Sequence, residues 1–197
     1  MDYANYQNNR DAAWKILLDC GIDRLPVDLN RICRQLGVGV YRYADVCLPP
    51  DIVLEGDGFL YFEGDKPIIL FDQEKPPVRI RFTIAHELGH LILGHVTPER
   101  DVDPDWEQRQ NETVEADANQ FAARLLAPAC VLWGLGVHTA EEISRFCNIS
   151  KQAAQVRAER MTILYQRKKF LTSPVERQVY EQFLPFIKEA RRTRPDE

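Results

Sequence analysis

Residues 78–93 read VRIRFTIAHELGHLIL, and the apolar members Ile80, Ile84, Leu88, Leu91 and Ile92 recur at three- and four-residue steps before Gly94. That period belongs to an amphipathic α-helix, and a glycine just beyond the last turn is a common stop. On such a helix His86 and His90 lie one turn apart, so both imidazoles project from one face toward one ion. His86-Glu87-Leu88-Gly89-His90 is thus an HExxH sequence, the pattern of a zinc site with Glu87 as general base. Glu87 sits beside the two rings, near the ion's open position, where it can take a proton from water. The spacing alone also describes a solvated pair on a helix surface. The flanking residues decide otherwise, because they set the motif inside an amphipathic helix, as the chemistry requires.

A catalytic zinc site takes three protein ligands. Residues 112–126 (ETVEADANQFAARLL) read as the next helix, stopped by Pro128, and Glu115 is the candidate third ligand. Asn119 lies one turn further on and can steady a ligand through a hydrogen bond. Glu112 and Asp117 are rivals: Glu112 shares a face with Glu115, whereas Asp117 points about 160° away. His95 follows His90 by five residues, with the glycine at 94, and so misses the longer histidine signature whose third histidine comes six residues on. It reads as a helix-end residue. His138 could steady a tetrahedral intermediate, although an ordinary loop histidine is the commoner case.

Working outward, Ala12 to Cys20 has helical spacing. Pro26 to Leu36 reads as a short helix with Asp28 as cap and Gly37 as stop. Gly39 to Tyr43, Gly58 to Phe62 and Pro67 to Phe71 are rich in β-branched and aromatic residues and predict a small antiparallel sheet, with a hairpin turn at Gly64-Asp65. Thr97 to Gln110 is charged, contains Pro98 and Pro104, and reads as a loop. Its Asp101, Asp103, Asp105 and Glu107 would make an acidic rim that favours a basic segment of substrate. Thr139 to Cys147, Ser150 to Tyr165 and Pro174 to Arg191 read as three further helices. The expected architecture is α+β and zincin-like, with a small antiparallel sheet beside the HExxH active-site helix. A metallopeptidase domain over 1–135 and a C-terminal, helix-turn-helix-like portion over 136–197 complete it.

The chain has 197 residues, 45% of them hydrophobic, enough for one domain with an ordinary core. Its formal net charge of -5 gives phosphate neutralisation no help, so DNA contact should not dominate. The five cysteines are scattered with no CxxC pair, which argues for buried thiols rather than disulfides or a cysteine metal site. No run approaches the roughly eighteen apolar residues of a membrane span, and the start of the chain is polar, so a cytoplasmic protein is expected. A competing reading is a non-proteolytic regulatory protein that binds DNA or a partner through its C-terminal helices. Arg157, Arg160, Arg167, Lys168 and Lys169 motivate it.

Residues 81–90 (RFTIAHELGH), residues 115–128 (EADANQFAARLLAP) and, more loosely, Pro26-Val27-Asp28-Leu29 resemble the ImmA/IrrE family of zinc-dependent peptidases. The resemblance spans roughly Ala12 to Arg160. It implies that the third zinc ligand falls on Glu115, and that the activity is regulated proteolysis of a transcriptional repressor, often of helix-turn-helix type, in bacteria and their mobile elements. Many relatives have Glu-Ala-Asn where this chain has Asp117-Ala118-Asn119, which weakens any role for Asp117. Residues 143–161 are similar to the helix pair that follows the catalytic part in relatives, with Asn148-Ile149-Ser150 as turn and cap. The length fits the short, ImmA-like branch, with no room for the sensory domain of longer members. Oligomeric state is not legible.

Overall fold

The computed structural model describes the backbone of residues 3–46, 56–96 and 104–193, with side chains over 9–46, 56–96 and 112–193. The elements are α1 (Tyr3–Asp19), α2 (Leu29–Gln35), β1 (Gly39–Arg42), β2 (Gly58–Glu63), β3 (Lys66–Phe71), α3 (Pro77–Ile92) and α4 (Pro104–Leu126). They are followed by α5 (Ala129–Leu135), α6 (Ala140–Cys147), α7 (Lys151–Gln166) and α8 (Pro174–Arg192). The fold is a mixed α+β one, with a small sheet and mostly helices.

Ile68, Ile69 and Leu70 are consecutive, and all three are buried. Such a run suits a strand covered on both faces. β3 is accordingly central, in the order β1-β3-β2. β2 and β3 pair antiparallel, closing with Glu63 opposite Lys66 across the expected Gly64-Asp65 turn. β1, however, runs parallel to β3, with Gly39 opposite Ile68 and Arg42 opposite Phe71. The expected antiparallel sheet is therefore corrected to a mixed one. Residues 43–57 separate β1 from β2, a connection long enough to cross over, where a meander would need a tight turn.

The predicted caps form. Asp28 accepts from the Arg31 amide at 2.9 Å, Thr139 and Glu142 make a capping box, and Ser150 accepts from the Ala153 amide after Asn148 turns left-handed at φ 51°. Three helices differ from expectation. α1 begins at Tyr3, α5 was unanticipated, and Pro104 to Gln110, read as loop, is the first part of α4. Proline is tolerated in a first turn because its missing N–H has no partner there anyway. Residues 97–103, with Asp101 and Asp103, lie outside the described residues, as do the side chains of Asp105 and Glu107. Cys20, Cys33, Cys130 and Cys147 are buried free thiols; Cys47 is also outside the described residues.

α3 packs on β2 and β3 on one side and on α4 on the other. Leu88 from α3 meets the core that Phe121, Leu125 and Leu126 of α4 fill, all fully buried. Two glycines set these distances. A Cβ on Gly89 would stand 3.2 Å from both the Cα and the carbonyl oxygen of Ala118, so α3 and α4 touch backbone to backbone there. A Cβ on Gly58 would meet the Leu70 carbonyl at 2.6 Å and the Thr83 methyl at 2.5 Å, so the Thr83 side chain of α3 rests directly against the β2 backbone. α1 packs along α4, and α8 returns to α1 and α5. The Gln182 side chain on α8 fastens this return by donating to the carbonyls of Leu17 and Ile22 at 2.8 and 2.7 Å.

Candidate metal centre

The close approach at Gly89 lays one turn of α3, holding His86 and His90, against one turn of α4, holding Glu115 and Asn119. The two Nε2 atoms are 2.9 Å apart. Glu115 reaches the His86 Nε2 at 3.1 Å with one oxygen and the His90 Nε2 at 3.2 Å with the other. The far sides of both rings are also held. Asn119 Oδ1 accepts from His86 Nδ1–H at 3.1 Å, which fixes the tautomer and leaves the Nε2 lone pair facing inward. His90 Nδ1 lies 3.3 Å from His95 Nδ1, and a hydrogen shared between them frees the His90 Nε2 in the same way. Lone pairs and a carboxylate crowded together repel one another, and a cation between them reverses that sign. Among the described residues, these three form the one group of potential metal donors found within 4.8 Å of each other. The donor set therefore fits a divalent metal ion.

The rival carboxylates stand apart from this cluster. Asp117 accepts from the Asn9 side chain of α1 at 2.7 Å, which is where its position two residues after Glu115 would send it. Glu112 is exposed and contributes no atom to the group. His95 lies behind His90, as its spacing predicted. His138 packs its ring 4.8 Å from that of Tyr165, and its amide donates to Glu142; it does not line the cleft.

That cleft, about 240 Å³ in volume, has His86, Glu87, Glu115 and Asn119 along one side. The sequence reading missed its other walls: Asp57, Gly58, Arg79, Phe82 and Thr83. Arg79 and Lys75 both ion-pair with Asp57 and hold its carboxyl below the usual range. No spacing announces this, since 57 and 79 meet only once β2 docks on α3.

Glu87 is 8% exposed and borders the cleft. Burial, and then the Glu115 carboxylate, push its carboxyl from 4.5 up to about 8, against a backbone hydrogen bond at Leu60. Burial, then His86 and His95, pull His90 from 6.5 down to about 3. With Glu87 the folded chain keeps a proton that the unfolded chain has released, so its contribution to stability is lost as pH rises from 4.5 to about 8. His90 acts oppositely, and only below 6.5, where the unfolded chain takes up a proton that the folded chain does not. Between pH 6.5 and 8 the Glu87 effect stands alone of the two. Metal-free protein should therefore lose thermal stability across that window, and Glu87→Gln should flatten the loss. Melting curves at several pH values check it; equal slopes for both proteins would overturn the assignment of a proton to Glu87.

Fold and site together define an α+β protein with a candidate metal centre strung between two touching helices. The model of the IrrE N-terminal-like domain, peptidase family M78, matches residues 48–159, more than half of the chain, and the protein belongs to that ImmA/IrrE family. The radiation response metalloprotease IrrE of Deinococcus radiodurans is 32% identical over 97 residues, covering 48% of this chain and 27% of that relative. The chain thus spans about a quarter of the length of the curated relative it matches. Membership places it among metallopeptidase-type proteins.

Proposed function

We propose that the protein is a zinc-dependent endopeptidase, with His86, His90 and Glu115 holding Zn²⁺ and Glu87 as general base. The observation that carries this is the convergence of three donors beside a buried carboxylate. Their separations of 2.9 to 3.2 Å are close to the edge, roughly 3.3 Å, of a tetrahedron whose bonds are about 2.0–2.1 Å. When bound, zinc supplies Lewis acidity, polarising a carbonyl and bringing the pKa of a water toward about 7. Glu87 accepts the proton of the attacking water and returns it to the leaving amine. Asn119 and His95 keep the two imidazoles aimed inward. β2 carries no strand on its outer edge among the described residues, and Gly58 at its start lines the cleft, so an extended substrate can lie along that edge.

The substrate in this reading is a helix-turn-helix repressor of a bacterial regulatory or mobile-element system, gripped in part by the helices from Thr139 to Tyr165. The chain divides into a zincin-like peptidase domain over 1–135 and a helical, helix-turn-helix-like portion over 136–197. A cytoplasmic location suits such a substrate, and no helix among the described residues is long and apolar enough to cross a membrane. The test is co-expression with a repressor encoded next to the gene, following repressor length with Glu87→Gln as control. A shortened repressor is expected with the wild type alone. Intact repressor in both would favour the non-proteolytic binding role.

A further inference from the structure

Arg79, Phe82 and His86 follow one another along α3 at steps of three and four residues, which an α-helix sets in a row on one face. The Arg79 guanidinium lies over the Phe82 ring, 5.8 Å from its centroid, and that ring is 6.3 Å from the imidazole of His86. All three side chains line the metal cleft. The row thus leads from the candidate centre to a cation two helical turns away in the same cleft.

Arg79 is held in a way that leaves its tip unused. Its Nε donates to one oxygen of Asp57, whose other oxygen is 3.1 Å from the Lys75 ammonium. Asp57 is itself anchored, because its backbone carbonyl accepts from the Asp72 amide, just past β3, at 2.9 Å. Among the described residues, Nε is the only side-chain nitrogen of Arg79 with a hydrogen bond, and the side chain is 56% exposed. An ion pair so open to water contributes little to stability. Lys75 also approaches Asp72 at 3.7 Å, so these four charges balance. What the cleft gains is therefore an aimed fork of N–H groups rather than net charge. A fork already ordered by Asp57 and Phe82 can take a carboxylate without first having to be ordered.

The distance sets a register. From Arg79 to His86 the helix rises roughly 10 Å at about 1.5 Å per residue, and an extended peptide covers that length in about three residues at about 3.3 Å each. We infer that Arg79 is a specificity-determining residue that binds a carboxylate side chain of the substrate two or three residues from the cleaved bond. The inference rests on the peptidase reading and names the side chain that the cleft selects. Phe82, lying between guanidinium and imidazole, gives the intervening residues an apolar floor. A lysine at the selected position would meet the guanidinium as a like charge and be refused.

The test fixes that register chemically and measures binding rather than turnover. Fluorescein-labelled Ala/Gly peptides carry a metal-chelating hydroxamate at one end and a single Glu, Gln or Lys placed one to five residues from it. One set has the hydroxamate at its carboxyl end and a second at its amino end, so that both chain directions are covered. Anisotropy is followed on the full-length protein loaded with Zn²⁺. In one set, Glu at the second or third position should bind roughly tenfold tighter than Gln there, and at the fifth position the two should bind alike. Arg79→Gln should remove the difference with zinc content and helix content unchanged, and Arg79→Glu should transfer the preference to Lys. Equal affinities for Glu and Gln at every position would overturn the inference, as would a Glu preference that survives in Arg79→Gln. Failure of every hydroxamate peptide to bind would overturn the inference and the peptidase reading together. Hydrolysis of the parent peptides by the wild type without any Glu preference would strike the inference alone. An Arg79-dependent Glu preference in a wild type that hydrolyses nothing would keep the carboxylate site and remove the peptidase reading.

Discussion

Glu87→Gln is expected to reduce hydrolysis by roughly 10²- to 10⁴-fold while leaving the metal content unchanged. The side chain is 8% exposed and contributes no atom to the His86, His90 and Glu115 group, so its role is separable from coordination. Glutamine keeps the shape and removes the titrating oxygen. Folding should survive, because the buried carboxyl, pushed up to about 8, already behaves as a neutral group in metal-free protein at pH 7. Metal analysis of the purified variant, set beside its turnover, gives the answer. Near-normal turnover with metal retained would show that another group moves the proton.

His86→Ala and His90→Ala should lose metal and activity together. Removing a partner that only steadies a ligand typically weakens metal binding about 10- to 100-fold, so losing a ligand itself should exceed that range. Glu115→Gln should lower affinity strongly and Glu112→Gln barely, since only the first lies against both imidazoles. Asn119→Ala should fall between them, within the 10- to 100-fold range, because it frees the His86 ring to rotate. Competition with a chromophoric chelator ranks the five. Wild-type affinity in Glu115→Gln would refute that residue as the third ligand.

Local signals were legible in the sequence because they depend on neighbours a few positions away. The period of residues 78–93 gives α3, the side-chain oxygens of Asp28, Thr139 and Ser150 give helix starts, and a two-residue offset separates Asp117 from Glu115. What stayed hidden depends on distant pairing. The parallel pairing of β1 with β3 joins residues far apart in sequence, and the meeting of Asp57 with Arg79 follows from β2 docking on α3. Pro104 misled for a different reason. A proline reads as a breaker until a helix starts at it, and its position at the head of α4 is compatible with that start. The Ile68-Ile69-Leu70 run was a signal present but unread, since three consecutive buried residues already mark a central strand.

The contact at Gly89 bears on which ions the protein can discriminate. Helices held apart by flexible side chains can breathe to suit a guest, but α3 and α4 meet through Ala118 backbone atoms 3.2 Å from where a Cβ would stand. The proposed ligands are carried on the adjoining turns of these two helices. Calcium, which needs six to eight oxygens at about 2.3–2.6 Å, would find two imidazoles and one carboxylate in the proposed centre. The hydrogen atom that serves as the side chain of Gly89 is what lets the two turns bearing the proposed ligands come this close.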